Sequence, residues 1–385
     1  LLAPLLGVRA LLPLARVHLV GRQVRLLNQD DKTVARLVFE RQRPAASTET
    51  FSLVRLFALR GYDEELAAVR RLLRENGVTA PASPLAGFEE GCRAAGRRPL
   101  DYSSKFSVRL DPDCTAREAM VHIYRQLLVT ISRNLPGTVD DLDPEFLHDL
   151  RVAIRRTRSG LSLVKEVLPA EVVESARRDF AALGALTGPT RDLDVYLEQR
   201  DSYLERLPEV LRPGLGGFFA DLAARRRAAQ QRLARGLRGK KTKAALAAWK
   251  RHLNARSPQP ADRAEVPVIE LAGRIIHRRA KRVLRDGRAL HAATPDAEVH
   301  RLRIQCKKLR YALEFFGSLY PEDDMALLVR QLKRLQDILG DFNDLSVQQQ
   351  LLAATLAGLR KGARADLGLA AALGGLMQSL YQEQQ

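Results

Sequence analysis

One stretch of this chain occurs twice, and that repeat constrains the fold more than any other feature of the sequence. His148–Pro169 reads HDLRVAIRRTRSGLSLVKEVLP, and His300–Pro321 reads HRLRIQCKKLRYALEFFGSLYP. Matching positions lie 152 residues apart, and the correspondence continues without a gap through Gly188 and Gly340 to the tripeptides RDL and NDL. Such an internal duplication indicates two copies of one structural unit.

Both copies place basic residues along one side of a predicted helix. At about 100° per residue, the matching residues fall within an arc of about 80° and extend for about 15 Å beside an apolar face. The first stripe consists of His148, Arg151, Arg155 and Arg158, with Arg156 beside it. The second stripe consists of His300, Arg303, Lys307 and Arg310, with Lys308 beside it. A stripe of this length suits an extended anion, and arginine donates paired hydrogen bonds to phosphate oxygens.

The composition narrows the class of partner. Of the 385 residues, 63 are Lys or Arg and 45 are Asp or Glu, which gives a net charge of +18 and an isoelectric point near 10.3. This excess favours polyanions such as nucleic acid, anionic membrane or polyphosphate. Aromatic residues make up 5% of the chain and do not interleave with the stripes, which argues against a surface that stacks successive bases.

The cysteines and the N-terminal residues indicate the cellular compartment in which we expect the protein. Cys92, Cys114 and Cys306 are isolated in sequence without zinc-ligand spacing, so we expect reduced thiols in a cytoplasmic protein. Prolines and arginines interrupt the Leu-rich first twenty residues, and we expect no membrane span. The chain begins at Leu1 rather than Met, which indicates a fragment or a processed form.

The first hundred residues predict a small α+β segment. Short alternating runs from about Val17 to Leu59, separated by NQDDK and PAAST, predict strands of an antiparallel sheet. The apolar spacing from Tyr62 to Asn76 predicts a helix that Gly77 ends. The Pro-, Gly- and Ala-rich stretch from Thr79 to Pro99 predicts a linker or an irregular tail.

The rest of the chain predicts helices, with prolines near their ends. The expected helices are Thr115–Asn134, Pro144–Leu168, Ala170–Thr187, Asp192–Leu207, Gly214–Arg238, Val266–Asp286, Pro295–Leu319, Glu322–Leu339 and a last region at about Leu345–Gln382. They predict two helical bundles that are joined near Arg256–Pro260. The expected domains are therefore residues 1–105 for the α+β segment, 111–256 for the first helical repeat and 260–385 for the second.

The duplicated motif resembles the CHAD family, whose name stands for conserved histidine α-helical domain. The resemblance rests on an H-x-x-R-x-x-x-R/K-R/K-x-R helix ended by proline, then L-x-x-x-x-G-x-x-x-D-L, twice between about Asp111 and the C-terminus. It implies a mainly α fold of two four-helix bundles related by a pseudo-twofold repeat, with both basic helices facing a shared cavity. It also implies that the chain binds inorganic polyphosphate without catalysis or a cofactor. Polyphosphate granules are then a location to consider.

The N-terminal segment resembles the C-terminal half of a CYTH domain, the triphosphate tunnel fold that often precedes CHAD. The resemblance rests on VARLVFERQRP, on FSLVRLFALRGYDEELAAVRRLL, and on SSKF at Ser103–Phe106. A CYTH enzyme needs an early E-x-E-x-K strand and a later strand of alternating acids that holds its metal. The early strand is absent and the later one reads SLVRL from Ser52. We therefore expect a partial, degenerate CYTH-like segment.

Other polar residues are candidates for supporting roles. Basic residues that widen the anion site would be Arg125, Arg274, Arg278, Lys281, Arg282, Arg330, Lys333 and Arg334. Four aspartates follow the repeated glycines and either cap the next helix or orient the stripe arginines; they are Asp192, Asp194, Asp341 and Asp344. A metal held by His148 with Asp192, or by His300 with Asp344, is opposed by the surrounding positive charge, so we predict no metal.

We favour polyphosphate binding over two rival functions. A CYTH-linked triphosphatase or polyphosphate-processing enzyme is disfavoured, because metal-assisted phosphoryl transfer needs carboxylates that this segment lacks. A non-specific nucleic-acid binder is the other rival, with Arg225–Arg227 and the lysines near Lys240 as its basic run, although such a run is typical of a solvated helix end. Considered alone, each basic stripe is also typical of a solvated helix face. Because the same stripe recurs at a fixed offset of 152 residues, we favour a surface that binds an anion.

Overall fold

The chain forms two compact units. The structure is a computed structural model that describes residues 3–81, 83–99, 102–103, 106–255, 261–291, 293–359 and 367–384. One unit is Ala10–Ser103, and the other comprises Leu1–Arg9 and Ser104–Gln385. The mainly helical fold with a small N-terminal antiparallel sheet is confirmed. No helix in the described part of the chain is long and apolar enough to cross a bilayer.

The smaller unit is a three-stranded antiparallel sheet with two helices. Its strands are β1 (Val17–Leu27), β2 (Thr33–Pro44) and β3 (Phe51–Ala58), in the order β1-β2-β3, and its helices are α2 (Asp63–Glu75) and α3 (Ala86–Ala94). The first turn is closed by Asn28, whose Oδ1 accepts from the backbone N–H groups of Asp30 and Lys32. The relation to CYTH stays a prediction, and Ser104 and Lys105 of the SSKF motif lie outside the described residues.

The predicted linker between Thr79 and Pro99 is wrong in part, because helix α3 lies within it. Its glycines, which indicated an irregular tail, instead let the helix approach its neighbours closely. A Cβ built on Gly87 would lie 2.8 Å from Gln42 Oε1 of β2, and one on Gly91 would lie 2.8 Å from Val17 Cγ2 of β1. Glycine content therefore reflected close packing at this place rather than flexibility.

The larger unit is helical. Its elements are α1 (Ala3–Leu6), α4 (Ala116–Val139), α5 (Pro144–Leu163), α6 (Ala170–Glu198), α7 (Arg200–Glu205), a 3-10 segment (Glu209–Leu215), α8 (Gly216–Arg238), α9 (Lys240–Asn254), α10 (Val268–Arg288), α11 (Asp296–Phe316), a short 3-10 turn (Gly317–Leu319), α12 (Glu322–Leu359) and α13 (Leu367–Gln384).

The two repeats meet at the starts of α4 and α10. Ala116 N–H donates to the carbonyl of Val266 at 2.8 Å, and Val268 N–H donates to the carbonyl of Cys114 at 3.1 Å. Positions 114 and 116 correspond to 266 and 268 at the repeat offset, so each repeat gives the other the same bond. Beside this junction Thr115 caps α4, because its Oγ1 accepts from Glu118 N–H while the Glu118 carboxylate accepts from Thr115 N–H.

Both repeats contribute to one hydrophobic core. Buried side chains of α4 and α5, such as Ile123 and Leu150, belong to the same cluster as Val268 of α10 and Phe315 of α11. Helices α8 and α9 close the first repeat against α4 and α6, whereas α13 packs on α12 and on the 3-10 segment Glu209–Leu215. Another side of α11, which includes Leu302, Cys306 and Leu309, packs with α10 and α12 in a separate cluster.

The structure corrects several predicted helix boundaries. The breaks expected after Thr187 and Leu339 are absent, because α6 and α12 continue through Gly188 and Gly340. Helix α9 was not predicted, although its Trp249 is buried and packs edge-to-face on Tyr124 with ring centroids 5.1 Å apart. The connection expected at Arg256–Pro260 lies outside the described residues.

Candidate basic site

Helices α5 and α11 carry the two basic stripes and pack against each other near the junction of the repeats. Helix α5 begins sharply, because Asp143 Oδ1 accepts from the N–H groups of Glu145 and Phe146 and Pro144 occupies the first turn. Its apolar side, including Leu150 and Ile154, is buried, so the basic side is directed away from the core of its own repeat.

The first arginine of each stripe is held by an aspartate of the following helix. Arg151 Nη2 lies 3.9 Å from Asp192 Oδ1, and Arg303 Nη2 lies 3.3 Å from Asp344 Oδ1. These pairs correspond at the repeat offset. Burial lowers the pKa of Arg151, and Asp192 opposes part of that effect. Both aspartates lie inside continuous helices rather than at helix starts, so of the two predicted roles the structure supports orientation of the arginines.

The repeated glycines lie beneath these arginines. A Cβ on Gly188 would lie 3.4 Å from Arg151 Nη1, and one on Gly340 would lie 3.8 Å from Arg303 Nη2, which are ordinary van der Waals distances. Arg151 Nη1 is also 3.4 Å from the hydroxyl of Thr187. The glycines thus belong to the surface on which each arginine lies.

Cations from both repeats converge on Lys307. The pKa of Lys307 falls to about 8, mainly through burial, then through Arg303 and through Arg155 of the other repeat; Asp344 opposes these effects and Arg310 adds a smaller one. Arg155 and Lys307 occupy matching positions, so equivalent residues of the two copies lie within electrostatic range of each other where α5 packs against α11. We call Arg155, Arg303, Lys307 and Arg310 the shared basic surface.

The two histidines differ in their surroundings. His148 is half-buried, and burial, followed by the nearby charge of Arg191, lowers its pKa, which favours the neutral ring at pH 7. His300 is exposed, and its Nδ1 donates to Asn343 Oδ1 at 2.5 Å. Arg191 and Asn343 occupy matching positions in the repeats, so this substitution contributes to the difference beside the deeper burial of His148.

Arg156 lies in the interface between the repeats and is largely buried. Its Nε donates to Glu314 Oε2 at 2.8 Å, and its guanidinium stacks 5.1 Å from the ring centroid of Phe106. The other Glu314 oxygen lies 3.3 Å from Arg310 Nε. Glu314 thus bridges arginines of both repeats, and Arg156 contributes to packing between α5 and α11.

Two further predicted residues are directed away from the shared basic surface. Arg158 lies over α6, where a Cβ on Gly184 would be only 2.8 Å from its Nη1. Lys308 lies within electrostatic range of Arg279 and Arg282 of α10, which lower its pKa after the larger effect of burial. The basic residues of α11 therefore divide between two surfaces, with Lys308 outside the predicted stripe.

The additional candidates lie on three other helices. Arg125 of α4 donates to the carbonyl of Leu253 at 2.7 Å and lines a cavity of about 520 Å³ at the end of α9. The α10 candidates Arg274, Arg278, Lys281 and Arg282 are all exposed, as are Arg330, Lys333 and Arg334 of α12.

Sequence reasoning missed several charged residues around the stripes. Glu314, Arg191 and Arg279 were not selected, although Arg191 begins the RDL tripeptide that the alignment of the repeats had already marked. Asp194 is buried and accepts from Arg226 Nε at 2.8 Å, so it joins α6 to α8. Within the described residues no group of three or more His, Cys, Asp or Glu side chains is arranged to hold a metal ion.

Comparison with known proteins bears on the family and the fold of the chain. Residues 122–353, more than half of the chain, match the family model of the CHAD domain. The CHAD domain from the plant Ricinus communis is 25% identical, with 73% of this chain and 96% of that chain covered at a TM-score of 0.57. PptA from Streptomyces chartreusis, at 17% identity and a TM-score of 0.54, shares the fold over 70% of this chain and 95% of its own. No curated protein matches the sequence. The chain belongs to the CHAD domain family.

Proposed function

We propose that the chain binds inorganic polyphosphate at the shared basic surface without catalysing a reaction on it. The observation that carries this proposal is the packing of α5 against α11, where Glu314 lies 2.8 Å from Arg156 and 3.3 Å from Arg310. This packing brings Arg155 of the first repeat within electrostatic range of Lys307, beside Arg303 and Arg310 of the second. Only Arg303 and Arg310 of the four have a carboxylate at ion-pair distance among the described residues, in Asp344 and Glu314. A surface with unbalanced positive charge is stabilised by a polyanion that replaces the missing carboxylates.

The shape of the ligand follows from the arrangement of the cations. The first stripe follows helix α5, so Arg151 lies about 6 Å from Arg155 of the shared basic surface along the helix axis, at 1.5 Å per residue. Polyphosphate has a negative charge on each internal phosphate and is flexible enough to follow such a row. Arginine provides paired hydrogen bonds along it, while Lys307 provides a point charge.

The proposal is tested by calorimetric titration with orthophosphate, tripolyphosphate and long-chain polyphosphate. Affinity is expected to rise with chain length, and to fall steeply as salt increases, by analogy with counterion release from nucleic acids. Equal affinity for orthophosphate and long chains would contradict an extended site.

A charge-matched pair of variants locates the site. Arg155→Gln with Lys307→Gln removes a cation from each repeat, whereas Lys240→Gln with Lys241→Gln removes the same charge from exposed residues at the start of α9. The first variant is expected to bind long chains about 100-fold more weakly or worse, since each charge-assisted hydrogen bond contributes about 1.5–3 kcal/mol. The control should change affinity by less than about threefold. Similar losses in both variants would reduce the interaction to general charge attraction.

Two further measurements separate the rival functions. Duplex DNA at equal phosphate concentration should displace little polyphosphate, and efficient displacement would favour nucleic-acid binding. Incubation with tripolyphosphate and a divalent cation should release no orthophosphate above the rate of a control without protein. Release above that rate would favour an enzyme.

A further inference from the structure

A second basic cluster lies in the groove between α10 and α11, apart from the shared basic surface. It consists of Arg279 and Arg282 on α10 and Lys308 on α11. Arg279 and Arg282 are three residues apart and share one side of their helix. Arg279 Nη1 reaches across the groove to Gln305 Oε1 of α11 at 3.4 Å. We call these three cations the groove cluster.

The groove cluster has little compensating negative charge. Burial lowers the pKa of both Arg279 and Lys308, and the other causes in each case are neighbouring cations. Within the described residues the closest carboxylate is Asp286, whose Oδ2 lies 3.6 Å from Arg282 Nε. The Nε of Arg279 is buried and has no hydrogen-bond partner among the described residues. Holding these cations together is unfavourable, and an anion in the groove would relieve the repulsion.

The duplication shows that the charge on the α10 side of the groove is specific to the second repeat, whereas Lys308 corresponds to Arg156, which is paired with Glu314. At the repeat offset Arg279 corresponds to Leu127 and Arg282 to Thr130. Leu127 is buried in the core that Leu233 of α8 and Trp249 of α9 also enter. In the described part of the second repeat, α10 packs mainly on α11, and α13 packs on α12 instead of closing over α10. The side that is covered in one copy is thus basic and open in the other.

The groove cluster and the shared basic surface adjoin each other around α11. Lys307 and Lys308 are consecutive, so their directions differ by about 100°, or about 10 Å around the helix surface. A flexible polyanion bound at Lys307 reaches Lys308 by passing over one helix. An acidic protein segment would need a separate structure to make the same turn, so polyphosphate is the simpler occupant.

We propose that the groove between α10 and α11 is a second subsite, which takes the continuation of a polyphosphate chain already bound at the shared basic surface. This inference rests on the proposed function. It adds that the site is asymmetric, because long chains leave the shared basic surface over the second repeat rather than over the first. Short chains fill the shared basic surface alone.

Lysine protection in the unmodified protein tests the subsite directly. The protein is treated with an amine-acetylating reagent, and Lys307 and Lys308 are quantified by mass spectrometry in the presence of tripolyphosphate or long-chain polyphosphate. We expect tripolyphosphate to protect Lys307 only and long chains to protect both. Labelling of Lys308 that long chains leave unchanged, with Lys307 protected, overturns the subsite and leaves the proposed function intact. If no chain protects Lys307, the proposed function fails.

Variants supply an independent readout. Arg279→Gln, Arg282→Gln and Lys308→Gln together should weaken binding of long chains about tenfold or more and leave tripolyphosphate binding within about twofold. The matched control is Lys240→Gln, Lys241→Gln and Lys243→Gln, which removes equal charge from exposed positions of α9 and should alter neither ligand's binding by more than about threefold. Equal losses in the two triple variants, or a groove variant that binds long chains like the parent, overturn the subsite. The protection experiment uses the parent protein, so it tests the subsite even if a variant fails to fold.

Discussion

Replacing Lys307 by Met is expected to stabilise the free protein while weakening its binding of polyphosphate. The pKa of Lys307 falls from its ordinary 10.5 to about 8, mainly through burial and secondly through Arg303 and Arg155. At about 1.36 kcal/mol for each tenfold change in proton affinity, this corresponds to about 3 kcal/mol against the charged form. Because the Lys307 side chain is partly exposed, solvent screens part of this cost, and we expect Lys307→Met to raise the unfolding free energy by about 1–2 kcal/mol. Methionine keeps the helix propensity and fills a similar space.

The pH dependence of the stability gained in Lys307→Met shows whether the lowered pKa of Lys307 causes that gain. The folded pKa is below the unfolded one, so between pH 8 and 10.5 the unfolded state binds more protons, and the parent becomes more stable as pH rises through that window. The advantage of Lys307→Met should therefore be full below pH 8 and shrink toward zero near pH 10.5. Urea unfolding followed by circular dichroism at neutral pH and at pH about 10 measures it.

An exposed lysine of α12 provides the control for this prediction. Lys333→Met should change the unfolding free energy by less than about 0.5 kcal/mol at either pH. A Lys307→Met protein that is less stable than the parent at neutral pH, or whose advantage persists near pH 10.5, would refute the placement of Lys307 among the cations of both repeats.

Three other substitutions test the architecture. Glu314→Gln should destabilise the helical unit by about 2–3 kcal/mol in denaturant titrations, since it leaves two largely buried arginines without their carboxylate, while the exposed pair lost in Glu298→Gln should cost under about 1 kcal/mol. Gly87→Ala should lower the stability of the smaller unit by about 1–3 kcal/mol, because the new methyl group meets Gln42, and amide exchange in its strands would reveal this loss. Thr115→Ala should cost about 1 kcal/mol of unfolding free energy through the lost capping box, and an unchanged value would argue against the observed cap.

Periodicity predicted the stripe-bearing helices well, because an apolar side that is buried leaves only one direction for the basic side. It did not separate neighbours on the same helix. Lys307 and Lys308 are equally basic in sequence, yet one contributes to the shared basic surface and the other to the groove between α10 and α11. Spacing along the helix places Lys308 about 100° from Lys307, but which partner each cation faces depends on tertiary packing, which that spacing does not determine.

Glycine was the second source of error. Gly188 and Gly340 indicated helix ends, and Gly87 with Gly91 indicated a linker, but all four lie inside helices. At Gly87 and Gly91 the missing side chain lets a strand approach closely, and at Gly188 and Gly340 an arginine lies over the helix. Helix α9 was missed for a different reason, because its polar start KKTK resembled the solvated end of α8 and hid the apolar positions around Trp249.

The reciprocal bonds between Cys114 and Val268 and between Ala116 and Val266 have the form of an isologous interface, in which each partner offers the other the same pair of groups. The helical unit therefore has the interface of a homodimer within one polypeptide. Two separate copies would lose about 4–15 kcal/mol of translational and rotational freedom on association. Fusion removes that cost, so the surface that needs both halves is assembled at any protein concentration, and each half is free to diverge, as Arg279 and Leu127 have done.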